Sequence, residues 1–180
     1  EAACESYGLA LIGGDTIALP PGAPRIFSLT AIGEVPSHQV VPGRSGARAG
    51  DRLYVSGPIG DAGAGLAMLD EGLSEPAELI RAYRVATPHL TLGQSLCNIV
   101  HAMMDVSDGL LIDARRMALA SDCAVEINNI PLSEPYVALR GDSVEARIAA
   151  ATAGDDYVLL AALPGTMAAP HGMIEVGRFK

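Results

Sequence analysis

One segment, residues 102–120, restricts the fold of this chain more than any other. Residues 102–106 suit a short buried strand, and they lead into Ser107, Asp108 and Gly109. A helical pattern begins at once, with an apolar stripe formed by Leu110, Leu111, Ala114, Met117 and Ala118. A strand that ends in a tight polar turn and continues into a one-sided helix predicts a layer of helix packed on sheet.

The rest of the chain alternates irregularly between predicted strands and helices. Hydrophobic residues make up 49% of the chain and aromatic ones only 4%, so the core must be built from Ala, Val, Leu, Ile and Met. The order of elements favours an α+β fold, a mixed β-sheet with helices packed on it, over a regular doubly wound sheet. Asp61 is well placed to cap the helix that follows it. We expect strands at 9–12, 25–32, 52–56, 124–127, 157–162 and 173–176, and helices at 62–71, 75–84, 92–99 and 144–151.

The charge of the chain limits its partners. A net charge of −9 makes nucleic acids and anionic membranes poor partners. The negative charge does not exclude phosphate ligands, because a divalent cation can lie between carboxylate and phosphate. There is no apolar run of about 18 residues, so we predict no transmembrane helix. The three scattered cysteines, an odd number, favour reduced thiols and a cytoplasmic protein.

The turn at 104–109 carries the strongest chemical signal. Asp105, Ser107 and Asp108 place two carboxylates and a hydroxyl where a strand ends and a helix begins. Carboxylate oxygens are ligands that Mg²⁺ prefers, and amide groups at a helix N-terminus favour anions. These are the two needs of a nucleotide phosphate site. The alternative is that Ser107 and Asp108 only cap the helix, while Gly109 only relieves the turn.

Three further segments combine glycine with charged side chains. Gly14 and Asp15 follow a short apolar run, where backbone can approach a ligand and the acid can hold a metal. Arg44 lies in a glycine-containing loop and has the paired donors that suit a phosphate. Asp155 and Asp156 precede a predicted strand. Each segment has an ordinary alternative, which is a plain turn for the acids and a solvated loop for Arg44.

Several familiar site patterns are absent from the sequence. It contains no Gly-x-x-x-x-Gly-Lys and no Gly-x-Gly-x-x-Gly. No Ser, Cys or His residue has the pattern of a nucleophilic triad. The histidines, His38, His89, His101 and His171, lack the paired spacing of metal ligands, so we expect no zinc site.

Taken in order, these segments resemble the thiamine-monophosphate kinase family, within the larger group that includes aminoimidazole ribonucleotide synthetase. The resemblance covers nearly the whole chain, and it is the ordered set of motifs that is specific. The matching segments are Gly-Gly-Asp-Thr at 13–16, Ala-Ile-Gly-Glu-Val-Pro at 31–36, Arg-Ser-Gly-Ala at 44–47, Gly-Asp at 50–51, Leu-Tyr-Val-Ser-Gly at 53–57, Gly-Asp at 60–61, Met-Asp-Val-Ser-Asp-Gly-Leu at 104–110 and Gly-Asp-Asp-Tyr at 154–157.

The resemblance implies a role for each matching site residue. Gly14, Asp15, Arg44 and Ser107 resemble ATP contacts. Asp15, Asp105 and Asp108 resemble Mg²⁺ ligands. Asp155 stands where the family usually has a glutamate that contacts the thiamine substrate.

The resemblance also implies a domain organisation. Residues 1–41 would be the end of an N-terminal ATP- and Mg²⁺-binding domain, and residues 42–180 a C-terminal synthetase-like domain with an incomplete C-terminus. The family's N-terminal segment, with further Mg²⁺-binding acids and most of a dimer-forming sheet, does not appear. We therefore expect this chain to be part of a longer polypeptide that forms a homodimer through its N-terminal domain.

The implied reaction is in-line transfer from ATP to thiamine monophosphate, which gives thiamine diphosphate and ADP. The acceptor is already an anionic phosphate oxygen, so we expect no general base, and catalysis would rest on charge neutralisation by Mg²⁺ and on alignment. Two alternatives remain. One is another ATP-using synthetase of the same superfamily, and the other is a non-catalytic nucleotide- or metal-binding module that regulates a partner.

Overall fold

The computed structural model of the chain describes residues 2–37 and 39–180, so Glu1 and His38 lie outside the described residues. The chain divides into two units, Glu1–Glu34 and Val35–Lys180. The first unit contains helix α1 (Ala2–Tyr7), and its other described residues form neither helix nor strand. The domain boundary expected after residue 41 stays a prediction.

The strands expected at 9–12 and 25–32 are not formed, and both predictions were wrong. These segments are exposed, and Leu11 and Phe27 have exposed fractions of 82% and 90%. A strand is stabilised by hydrogen bonds to a neighbouring strand, and no strand pairing among the described residues includes either segment. The apolar run at 9–12 and the β-branched residues at 25–32 suit a strand, but composition without a partner does not make one.

The second unit is built around a five-stranded sheet, which confirms the predicted α+β class. All four pairings are antiparallel, with Val55 opposite Leu160 and Asp105 opposite Leu159. The strands are β1 (Arg52–Val55), β2 (Ala102–Asp105), β3 (Val125–Ile127), β4 (Leu159–Leu163) and β5 (Ile174–Phe179), in the spatial order β2-β4-β1-β5-β3. Strand β2 therefore lies at one edge of the sheet, and its last residue is Asp105.

Six helices lie among the described residues of this unit. They are α2 (Asp61–Glu71), α3 (Ala77–Arg84), α4 (Leu90–Leu96), α5 (Leu110–Ala120), α6 (Glu134–Arg140) and α7 (Val144–Thr152). Helix α6 was not anticipated, although Ser133 at its N-cap and Pro135 in its first turn are typical start signals. None of the described helices has both the length and the apolar character needed to cross a membrane.

The two faces of the sheet carry cores of different size. Side chains alternate along β1, so Leu53 and Val55 face the larger core, built with α2, α5 and α7, while Tyr54 faces a smaller one with Leu96 of α4. Helix α5 buries its predicted stripe against the larger core, except for Leu111, which is 36% exposed. This packing fixes the end of β2 and the start of α5 relative to the sheet.

Candidate functional site

The turn between β2 and α5 presents Asp105, Ser107 and Asp108 at one end of the sheet. The side chain of Val106 is buried in the larger core, and its N–H donates to the carbonyl of Val158 at 2.9 Å. The buried valine anchors the turn, while Asp105 and Asp108 on either side of it remain exposed. The strand-to-helix geometry expected for this segment is therefore present.

Asp113, in the first turn of α5, holds this turn in place. Its buried carboxylate accepts hydrogen bonds from the N–H groups of Ser107 at 3.0 Å and Asp108 at 2.9 Å. The N-cap residue of α5 is Gly109, and no side chain caps the helix. The alternative in which Ser107 and Asp108 serve as capping residues was therefore wrong, because a buried acid inside the helix satisfies the backbone of the turn instead.

Arg116 links two acids of this segment. Its Nη1 donates to the Asp108 carboxylate and, at 2.9 Å, to Oδ1 of Asp113. Both hydrogen bonds raise the pKa of Arg116, with Asp108 the larger cause. The buried Asp113 thus has three donors, as a buried carboxylate needs.

The loop 153–157 packs directly on this turn. The N–H of Asp155 donates to the carbonyl of Ser107 at 2.9 Å, and the N–H of Tyr157 donates to that of Val106 at 2.8 Å. A Cβ added at Gly154 would lie 2.6 Å from the carbonyl oxygen of Ser107, so only glycine permits this approach. The structure therefore brings Asp155 to the end of the sheet that carries Asp105 and Asp108.

Asp155 and Tyr157 interact within a strained stretch of backbone. Their φ angles are 68° and 53°, a left-handed conformation that non-glycine residues rarely adopt and that is found more often at functional sites. The Tyr157 hydroxyl donates to Oδ1 of Asp155 at 3.1 Å. This bond raises the pKa of Tyr157, and the negative charges of Asp155, Asp105 and Asp108 add to the effect. These three acids therefore share one electrostatic environment.

Asp156 caps helix α2 from a distance in sequence. Its carboxylate accepts from the N–H groups of Gly60 at 2.8 Å and Ala62 at 3.3 Å. Burial raises the pKa of Asp156 to about 6, and these two bonds oppose the rise only in part. Asp61, which we expected to cap α2, instead accepts from the Ser133 hydroxyl at 2.6 Å, so that prediction was wrong. Asp61 is itself the first helical residue, and Gly60 occupies the N-cap position.

Arg44 lies beside the outer edge of β2. The carbonyl of Gly43 accepts from the N–H of Met103 at 2.9 Å, and Ser121 Oγ accepts from the N–H groups of Gly46 and Ala47 at 3.1 Å each. Arg44 is exposed between these anchors, and within the described residues it forms no ion pair. The strand that ends at Asp105 thus also holds the Arg44 loop.

Gly14 and Asp15 belong to the first unit. Both are exposed, and the N–H of Thr16 donates to Oδ1 of Asp15 at 2.7 Å. The remaining predicted site residues, Arg44, Asp105, Ser107, Asp108 and Asp155, belong to the second unit.

The acids at the end of β2, Asp105 and Asp108, are both exposed to solvent. Among residues 2–37 and 39–180, no group of three or more His, Cys, Asp or Glu side chains is arranged to hold a metal ion. Asp105 and Asp108 offer two exposed carboxylates, which matches Mg²⁺ bound through one or two acids with phosphates and water completing its shell.

A largely apolar cavity of about 620 Å³ opens beside Asp105 and Tyr157. Its volume lies in the range of small-molecule sites. The other residues of its wall come mainly from the loop before α4, from α4 itself and from β4: Ala86, Pro88, His89, Leu90, Gly93, Gln94, Cys97 and Leu159. An apolar chamber therefore adjoins a polar, acidic rim.

Residues 48–163 match the family described as AIR synthase related protein, C-terminal domain, and this range is more than half of the chain. The chain belongs to this family. The matched range includes the β2–α5 turn and Asp155, whereas Gly14, Asp15 and Arg44 precede it.

Two kinds of relative extend the comparison. The thiamine-monophosphate kinase of Caulobacter vibrioides is 37% identical over 163 residues, which cover 87% of this chain and 46% of that protein. Among solved structures, thiamine monophosphate kinase from Aquifex aeolicus and AaThiL complexed with AMPPCP and TMP are each 35% identical with a TM-score of 0.69. Both alignments cover 77% of this chain, and 50% and 48% of those chains. The chain spans about half the length of the curated relatives it matches.

The sequence analysis missed the roles of three residues of this AIR synthase related domain. They are the contacts of Asp113 and Arg116 and the capping of α2 by Asp156. Asp113 carried a detectable signal, because an acid on the apolar face of a helix needs partners. The contact of Arg116 with Asp113 follows from their spacing of three residues on a helix. The partner of Asp156 lies 96 residues away, so no local pattern reveals it.

Proposed function

We propose that the protein to which this chain belongs is a thiamine-monophosphate kinase. It transfers the γ-phosphoryl group of ATP to thiamine monophosphate and releases thiamine diphosphate and ADP. The observation that carries the proposal is the β2–α5 turn, whose backbone N–H groups donate to Asp113. An apolar cavity lies beside this turn, and Asp105 belongs to both. The likeness to the Caulobacter vibrioides kinase and to AaThiL complexed with AMPPCP and TMP supports it.

Mg²⁺ would be held at the turn by Asp105 and Asp108. Asp15 is proposed as a Mg²⁺ ligand as well. When bound, the ion supplies neutralisation of the charge on the phosphates. Asp105 and Asp108 place their carboxylates on the two sides of the buried Val106, so rigid backbone fixes their spacing. Such pre-set ligands need no reorganisation during transfer.

The nucleotide would be bound by Gly14, Asp15, Arg44 and Ser107. Within the described part of the chain the Ser107 hydroxyl forms no hydrogen bond, which leaves it available for a phosphate oxygen. Arg44 is exposed on an anchored loop and presents the paired donors that suit phosphate. No side chain here is needed as a general base, since the attacking phosphate oxygen is already anionic.

The acceptor's ring system would occupy the apolar cavity. Thiamine carries a flat, positively charged ring, and the cavity combines apolar walls with Asp105 at its rim. Asp155 lies next to Tyr157, which also lines the cavity, so its carboxylate is suited to contact the cationic acceptor. We further propose that the protein is cytoplasmic and forms a homodimer through its N-terminal domain.

ADP release by the purified full-length protein tests this function. We expect ADP release that requires Mg²⁺ and thiamine monophosphate, with little release when thiamine replaces it. Substrates that carry an amide or formyl oxygen provide the comparison for the synthetase alternative. ADP release with those substrates and none with thiamine monophosphate would contradict the proposal.

A further inference from the structure

Arg116 contacts two carboxylates of very different exposure. Its side chain, 40% exposed, places the guanidinium between Asp113, whose side chain is fully buried, and Asp108, whose side chain is 55% exposed. Asp113 is also held by two backbone N–H groups. The contact with Asp113 is therefore part of the folded structure, whereas the contact with Asp108 lies in solvent.

The two halves of this bridge differ in strength. An exposed ion pair contributes little to stability, because water screens it and two side chains must be ordered to form it. A buried carboxylate that loses a partner is penalised far more strongly. Arg116 can consequently release Asp108 while it stays anchored at Asp113.

We propose that Arg116 holds the Asp108 carboxylate until a divalent cation takes it, and then turns its free donors to the nucleotide phosphates, so that cation and nucleotide binding are coupled. This inference rests on the proposed function in that Asp108 is taken as a cation ligand and the turn as part of a nucleotide site. It assigns to Arg116 a positioning role that the ordered motifs did not indicate.

The chemistry of the guanidinium supports both states. It carries five N–H donors in a planar fork, and both contacts described here use Nη1. The remaining donors suit paired bonds to phosphate oxygens. Because coupling between two ligands is reciprocal, a cation that frees Arg116 raises nucleotide affinity by the same factor by which the nucleotide raises cation affinity.

Binding of Mn²⁺ to the full-length protein, measured by electron paramagnetic resonance, tests the coupling. Arg116→Gln removes the competitor for Asp108. Arg115→Gln is the matched control, since Arg115 is the exposed neighbour on the same helix and forms no ion pair among the described residues. Without nucleotide we expect Arg116→Gln to bind Mn²⁺ about two- to fivefold more tightly than the control, the range that an exposed ion pair allows.

The second measurement repeats the titration with a non-hydrolysable ATP analogue. In the wild type and in Arg115→Gln the analogue should tighten Mn²⁺ binding, and in Arg116→Gln this enhancement should shrink at least about threefold, again the scale of one modest ion pair. Arg116→Lys keeps a positive charge at Asp113 but loses the planar fork of N–H donors. If Arg116→Gln fails to fold, we expect the same loss of enhancement in Arg116→Lys.

Equal Mn²⁺ affinity and equal enhancement in the Arg116 variants and the control would overturn the coupling. These titrations contain no thiamine monophosphate. A kinase that transfers to thiamine monophosphate but shows no Arg116 effect would refute this inference alone. An Arg116 effect without that transfer would refute the proposed acceptor alone.

Discussion

The carboxylates of Asp105 and Asp108 contribute little to the stability of the fold. Both are exposed, and Asp113 holds the backbone between them. We predict that Asp105→Asn and Asp108→Asn each lower kcat of the full-length protein by roughly 100-fold or more, because each removes a charge that would hold the cation. The melting temperature should change by no more than about 2 °C, as for other exposed substitutions.

Asp70→Asn is the matched control for both variants. Asp70 is an exposed acid of α2 that forms no ion pair among the described residues, so its activity and melting temperature should stay at wild-type values. Turnover within a few-fold of wild type in either site variant would remove that acid from the cation site.

Asp155 is predicted to act on the acceptor and not on the nucleotide. Asp155→Asn keeps a side chain that tolerates the φ of 68° and removes only the charge. We expect a KM for thiamine monophosphate raised about tenfold and a KM for ATP within about threefold of wild type, from steady-state kinetics with each substrate varied in turn. Tyr157→Phe, which removes the donor to Asp155 and leaves its charge, is the comparison.

The competing interpretation of Asp155 is that it only stabilises the turn before β4. In that case Asp155→Asn would lower the melting temperature and leave both KM values unchanged. That pair of results would exclude Asp155 from the acceptor site.

The attachment of loop 153–157 to helix α2 should depend on pH through Asp156. Burial raises the pKa of Asp156 from 3.8 to about 6, so the folded protein binds this proton more tightly than the unfolded chain. The resulting stabilisation is complete below pH 4 and is lost as the pH rises through 6. A shift from 3.8 to about 6 corresponds to roughly 3 kcal/mol of unfolding free energy.

Urea unfolding of wild type and Asp156→Asn between pH 4 and pH 7 measures this contribution. Asparagine cannot titrate, so the unfolding free energy of wild type minus that of Asp156→Asn should decrease as the pH rises from 4 to 7. Asp70→Asn should follow the wild-type profile at every pH. Parallel profiles for wild type and Asp156→Asn would show that Asp156 titrates alike in the folded and unfolded states.

Elements whose signals are local were predictable from sequence. Helix α5 spans the residues expected from its apolar stripe, and α2 ends at Glu71 as expected but begins at Asp61 itself. The acids of the β2–α5 turn lie where a strand should deliver them. The expected strands at 9–12 and 25–32 failed, because pairing depends on a partner that composition does not reveal. The capping of α2 by Asp156 was missed for the same reason, since it joins residues far apart in the chain.

At the scale of the whole molecule, the predicted site residues are divided between two units. Arg44, Ser107 and Asp155 belong to the second unit, which has its own sheet and core, while Gly14 and Asp15 belong to the first. We therefore expect nucleotide binding and transfer to be properties of the full-length protein.

Direct detection of the transferred phosphate in the full-length protein tests the central claim most directly. With ATP labelled at the γ-phosphate, Mg²⁺ and thiamine monophosphate, the label should appear in thiamine diphosphate. Asp108→Asn should slow this transfer by roughly 100-fold or more while its melting curve stays close to wild type. Label released as inorganic phosphate, or found on another acceptor with none in thiamine diphosphate, would contradict the account.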